Sequence, residues 1–189
     1  MIRFMLRGAV LGAALCLSVP AFADEVEDSI KEGLAAYGQG DLSAAKQALD
    51  YASQLIAQKN AEGLGALLPP PLSGWTAEDS QTNAAGMAMF GGGIQAGRTY
   101  SKDGSTVELQ IVGDSPMIST WMPMLANPAL AAAMGKVTKI GKHRVLQSKE
   151  GQVILVVNNR FLVTLDGSAG MDDKMAYAEA IDFDRLEAL

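Results

Sequence analysis

Gln152-Val153-Ile154-Leu155-Val156-Val157-Asn158-Asn159-Arg160-Phe161-Leu162-Val163-Thr164-Leu165 is the stretch on which the fold turns. The aliphatic run Val153–Val157 is too short for a buried helix and rich in β-branched residues, so it predicts a strand that is apolar on both faces. Such a strand sits inside a sheet and is covered by helices. Asn158-Asn159 supplies a turn, and Arg160 to Leu165 predicts the next strand. Upstream, a strand is expected over Thr138 to Gln147, joined to the central one at Glu150-Gly151. Earlier still, Ile94 to Lys102 and Ser105 to Val112 flank Lys102-Asp103-Gly104, whose Asp-Gly pair signals a hairpin. In the second of these, Val107, Leu109 and Ile111 face one side while Glu108 and Gln110 face the other. Gly74-Trp75-Thr76-Ala77-Glu78 predicts a short opening strand.

Helical signals interrupt this series. Asp114 or Ser115 caps and Pro116 starts a helix that Pro123 bends or interrupts, and Asn127-Pro128 starts a second one running through Ala133 to Gly135. Asp172 or Asp173 caps a final helix carrying Met175, Ala178, Ile181 and Leu186. Strands, a helical insertion, three more strands and a closing helix make an α+β class. A helical hairpin precedes a mainly antiparallel sheet of five or six strands with helices packed on it.

That hairpin occupies residues 24 to 68. Ile30, Leu34 and Tyr37 form one helical stripe; Leu42, Ala45, Leu49, Ala52 and Ile56 form another. Gly38-Gln39-Gly40-Asp41 breaks the two helices, with Asp41 or Ser43 capping the second. Gly33, Gly40, Asp41, Leu42, Ala45, Leu49 and Ala52 lie at spacings that resemble a tetratricopeptide repeat, although the first helix carries Ala36 where that family has an aromatic, with Tyr37 one position late. The likeness covers one repeat, and a lone repeat leaves a face that must dock on the rest of the chain or on a partner. Leu68-Pro69-Pro70-Pro71 then forces an extended path, marking a linker at residues 69 to 73 and an α+β domain over 74 to 189. The order of elements in that domain, with its opening Gly-Trp, is similar to the PsbP-like fold of small exported or lumenal accessory proteins. This implies an accessory role without fixing it.

Residues 1 to 23 read as a signal peptide: Arg3 and Arg7, an apolar stretch from Gly8 to Pro20, then Ala21-Phe22-Ala23 as the cleavage site. The stretch is shorter than the roughly 20 residues of a spanning helix, so the mature chain is expected to begin at Asp24 in the periplasm without a membrane span. Cleavage removes two of 15 basic residues and none of the 21 acidic ones, leaving 13 against 21, a net charge of −8. Nucleic acid is therefore an unfavourable partner. Cys16, the one cysteine, leaves with the signal, and thiolate chemistry leaves with it.

The remaining chemistry is sparse. His143 is the only histidine, no Gly-x-Ser-x-Gly elbow is present, and Gly91-Gly92-Gly93 lacks the lysine and hydroxyl of a phosphate loop. Asp172, Asp173, Asp182 and Asp184 are explained by helix ends, and Met171 stands where a calcium loop around Asp166 and Ser168 needs glycine. Lys136, Lys139, Lys142, Arg144 and Lys149 read as charges guarding an edge strand. Methionine is the unusual feature. Met87, Met89 and Phe90 in the glycine-rich segment 84 to 97, with Met117, Trp121 and Met124 in the interrupted helix, predict an adaptable apolar groove. The chain thus reads as a non-enzymatic accessory protein that binds an envelope protein or an apolar small ligand and requires no cofactor. The alternatives are Cu(I) held by thioethers of Met87, Met89, Met122 and Met124, or an enzyme whose site the sequence does not display.

Overall fold

The computed structural model describes residues 24–84, 86–87 and 92–189. Its elements are α1 (Glu25–Gly38), α2 (Leu42–Gly65), β1 (Thr76–Ala77), β2 (Gln81–Asn83), β3 (Ile94–Lys102), β4 (Ser105–Gly113), α3 (Met117–Ala126), α4 (Pro128–Met134), β5 (Gly135–Ile140), β6 (His143–Ser148), β7 (Val153–Val157), β8 (Phe161–Asp166), α5 (Met171–Glu179) and α6 (Phe183–Ala188). All strands join one antiparallel sheet in the order β1-β3-β4-β8-β7-β6-β5, with β2 also pairing along β3. The α+β class is the one expected. Proposed cleavage at Ala23 falls outside the described residues, and no described helix is long and apolar enough to cross a membrane.

The strand count exceeds the expected five or six for identifiable reasons. Residues 138 to 147 are two strands, because Gly141 takes φ +55° in a two-residue loop that sets Ile140 opposite His143. The additional β2, three exposed polar residues, carries no alternation from which to predict it. The other turns follow their chemistry. Asp103 (φ +50°) and Gly104 (φ +80°) close β3 onto β4, while Asn158 and Asn159 are left-handed before Arg160 donates its amide to the Val157 carbonyl at 3.0 Å.

Sheet pleat divides the core in two. Val107, Leu109 and Ile111 of β4, Phe161, Val163 and Leu165 of β8, and Val153, Leu155 and Val157 of β7 share one cluster with Leu64 of α2, Tyr177 of α5 and Leu186 of α6. On the opposite face, Leu146, Ile154 and Leu162 meet Ile118 and Leu125 of α3. The central strand β7 is apolar on both sides because each side is covered. Pro123 lies inside α3 and leaves it one helix, and the expected final helix is two, α5 and α6, with Asp182 capping the second by accepting the Arg185 amide at 3.0 Å. Asp172 and Asp173 sit in the first turn of α5, after Gly170 at the N-cap.

The proline segment is fastened along its length. Tyr100 donates its hydroxyl to the Pro69 carbonyl at 2.6 Å, and the Leu72 amide donates to the Tyr177 hydroxyl at 3.1 Å. Trp75 stands edge-on to Tyr177 at 5.4 Å, and the Tyr100 and Tyr177 rings lie 4.1 Å apart. Ala61, Leu64, Leu67 and Leu68 belong to the larger cluster. The hairpin is therefore docked on its own chain by the second half of α2.

Candidate functional site

Where α1 meets the first half of α2, the contact is built from small residues. Ser29, Gly33 and Ala36 are buried on α1, and Ala45, Ala48 and Ala52 on α2. A Cβ at Gly33 would lie 3.0 Å from the Leu49 Cγ, so glycine there sets the approach of the two helices. The large apolar residues are left outside. Leu34 is 69% exposed, Tyr37 66% and Leu42 66%, with Ile30, Leu49 and Ile56 also exposed.

At 100° per residue, Ile30, Leu34 and Tyr37 lie about a quarter-turn from the buried stripe of α1, and Leu42, Leu49 and Ile56 are displaced from that of α2 in the matching sense. Because the helices run antiparallel, these two displacements bring both sets to the same side of the hairpin. Leu49 lies against Gly33 at the border between the buried seam and the outward face. The sequence expectation placed Ala45 and Ala52 in one stripe with Leu42, Leu49 and Ile56. The structure separates them, alanines inward and large residues outward.

The methionine groove fares differently. Trp121, Met122 and Met134 pack against the cluster of Ile118, Leu125, Leu146, Ile154 and Leu162, which makes them part of the core on that face. Met117 is exposed, Met124 is half-buried, and Met87 is buried outside both clusters. Met89 and Phe90 lie outside the described residues. Of the four residues named for Cu(I), Met122 is engaged in packing, Met87 and Met124 take the positions just given, and Met89 is not described.

His143 is buried with its ring 4.5 Å from that of Phe183 and its Nε2 3.5 Å from a Glu187 oxygen, while Lys142 donates to the other Glu187 oxygen at 2.7 Å. These contacts fix α6 against the β5–β6 hairpin. Among the described residues, no three His, Cys, Asp or Glu side chains converge as a metal set. Lys136, Lys139, Lys142, Arg144 and Lys149 are exposed on and beside β5, an outer strand of the sheet.

Sequence reasoning passed over Arg98. It occupies an inward position of β3 between Ala96 and Tyr100, and its Nε is buried without a hydrogen-bond partner while one terminal nitrogen donates to the Pro69 carbonyl at 3.4 Å. A cavity of about 480 Å³ beside it is lined by Glu62, Gly65, Ser80 and Thr82. The available signal was a charge breaking the apolar alternation of β3. A larger crevice of about 740 Å³ runs between Tyr51, Gln54, Leu55 and Gln58 of α2 and Ala84, Gly92 and Gly93 of the loop before β3.

No protein family, curated protein or solved structure matches the chain.

Proposed function

We propose that this is an exported, non-enzymatic accessory protein of the periplasm that works by binding another protein chain through the apolar face of its helical hairpin. The observation that carries this reading is the outward turn of Ile30, Leu34, Tyr37, Leu42, Leu49 and Ile56 on a hairpin whose inner contact is made of glycine, alanine and serine. Apolar residues of this size gathered on one side mark a contact surface. The likeness to a single tetratricopeptide repeat supports the same use, since such hairpins work by stacking.

Trp121 and Met122 of the expected methionine groove are partly buried against the smaller cluster, so the proposal rests on the hairpin instead. A photo-reactive residue at position 34, introduced in intact cells, tests this. The expected result is a covalent protein adduct that Leu42→Glu abolishes and Trp121→Ala leaves in place. Adducts unaffected by Leu42→Glu, or substrate turnover by the purified protein, would overturn the proposal.

A further inference from the structure

We infer that the occupant of the hairpin face is a second copy of this chain, joined about a two-fold axis so that two hairpins close into a four-helix bundle. This rests on the binding reading above and adds the identity of the partner.

The exposed fractions of the six large residues amount to about 700 Å² of accessible surface, above the ~300–600 Å² of the largest patch on a typical monomer. A two-fold contact uses the same patch twice, so complete coverage of these six residues would remove about 1,400 Å² in all, within the ~1,200–2,000 Å² of a stable specific interface. No separate complementary surface is required, because aliphatic side chains and an aromatic meet their own kind.

A strongly acidic chain resists self-association unless its acids are kept away from the seam. On α1, Glu25, Asp28 and Glu32 point away from the apolar stripe by roughly 150° at 100° per residue. The charges nearest the stripe are already paired within their own helices, Glu27 with Lys31 and Lys46 with Asp50. Asp41, beside Leu42, also borders the face and accepts the Ala44 amide, so two copies meet across a border of low net charge. The close approach enforced by Gly33, Ala36, Ala45 and Ala52 makes the hairpin a flat pair of helices, the unit from which antiparallel four-helix bundles are assembled.

The test is the molar mass of the protein recovered from cells as it is exported, measured by sedimentation at micromolar concentration. Twice the chain mass is expected. Leu34→Glu and Leu42→Glu, both at exposed positions, should keep the native circular dichroism and weaken the dimer by roughly a thousandfold, since each substitution enters a symmetric contact twice. Val137→Glu, at an exposed position on the far edge strand, should leave the dimer intact. A monomeric wild type, or a dimer indifferent to both glutamates, overturns the inference. Should the wild type be monomeric while position 34 captures a different protein, the second copy falls and the binding reading stands. With a monomer and no adduct, both fall.

Discussion

Replacing Tyr100 by phenylalanine removes one oxygen from the point where the proline segment is fastened to the sheet. Tyr100 is fully buried, and its hydroxyl donates to the Pro69 carbonyl at 2.6 Å. That carbonyl's other donor is the Arg98 guanidinium at 3.4 Å, a weak contact. Losing the short bond and keeping the long one should cost about 1–2 kcal/mol near pH 7, or about 3–6 °C in Tm for a chain of this size.

Alkaline pH supplies an internal control. Burial, opposed by the Arg98 cation, pushes the Tyr100 hydroxyl up to about 12 from an ordinary value of 10.0. A group whose folded pKa is raised holds its proton in the native state. Its contribution is complete below about pH 10 and is lost as pH rises toward about 12. By about pH 11 the wild type should have lost about 1.4 kcal/mol from this group alone, while the phenylalanine variant, with nothing to ionise there, loses none of it. Urea unfolding of both proteins at a series of pH values measures the difference, and the titrations common to both largely cancel. The gap should shrink from about 1–2 kcal/mol to nearly zero between about pH 7 and about pH 11. A gap that stays constant across that range, or a variant as stable as wild type at neutral pH, would refute the argument.

Other substitutions probe other contacts. Gly113→Ala would put a Cβ 2.7 Å from the Cε1 of Phe161, which is itself fully buried, so it should destabilise by about 1–3 kcal/mol in urea. Trp121→Ala removes part of the smaller cluster and should cost about 2–3 kcal/mol in thermal unfolding while leaving the molar mass by sedimentation unchanged; altered association with unaltered stability would return Trp121 to a binding surface. Asp114 receives two bonds from Arg160, at 2.6 and 2.8 Å, which hold its carboxyl below the usual range. The stability it adds is present above its unfolded pKa and lost as pH falls through the folded one. The pair is partly exposed, so Asp114→Asn should cost no more than about 1 kcal/mol near pH 7 and progressively less as pH falls below the ordinary carboxylate range, as read by urea midpoints; asparagine tolerates the φ of +54° found there.

The sheet was legible wherever one physical signal stood alone. Val107, Leu109 and Ile111 alternate with polar residues and point inward, Asp103-Gly104 turns the chain, and the aliphatic run Val153–Val157 lies between two covered faces. Reading failed where two signals of equal period competed. Residues 138 to 147 carry strand-compatible residues on both sides of Gly141-Lys142, so the two-residue turn was read through as one strand. On the hairpin, Ser29, Gly33 and Ala36 repeat with the same helical spacing as Ile30, Leu34 and Tyr37, offset by roughly 100°. Hydrophobicity favours the second set for burial, and close helix packing favours the first. Only three-dimensional contact decides between them, and it decides for the small residues. Methionine and tryptophan signal an adaptable groove and a gap-filled core alike, and Trp121 and Met122 are partly buried against the smaller cluster.

A hairpin packed in this way has a thermodynamic consequence. The inner contact of α1 with α2 buries serine, glycine and alanine, which remove little apolar area from water, while the area that could stabilise it lies outside. The second half of α2 has Ala61 and Leu64 in the larger cluster and the Lys59–Asp24 pair near its start; α1 has its own helical bonds, the Asp24 cap and a narrow seam. In an isolated chain α1 should therefore be the first described element to open, before the sheet unfolds. Covering the outer face removes the exposed leucines and Tyr37 from water and couples α1 to the rest, so stability becomes dependent on concentration. Amide exchange in α1 that slows as the protein is concentrated, while exchange in β4 and β8 does not, is the signature of that coupling. Exchange in α1 that ignores concentration would place the stability of the hairpin within a single chain and leave its apolar face without an energetic role.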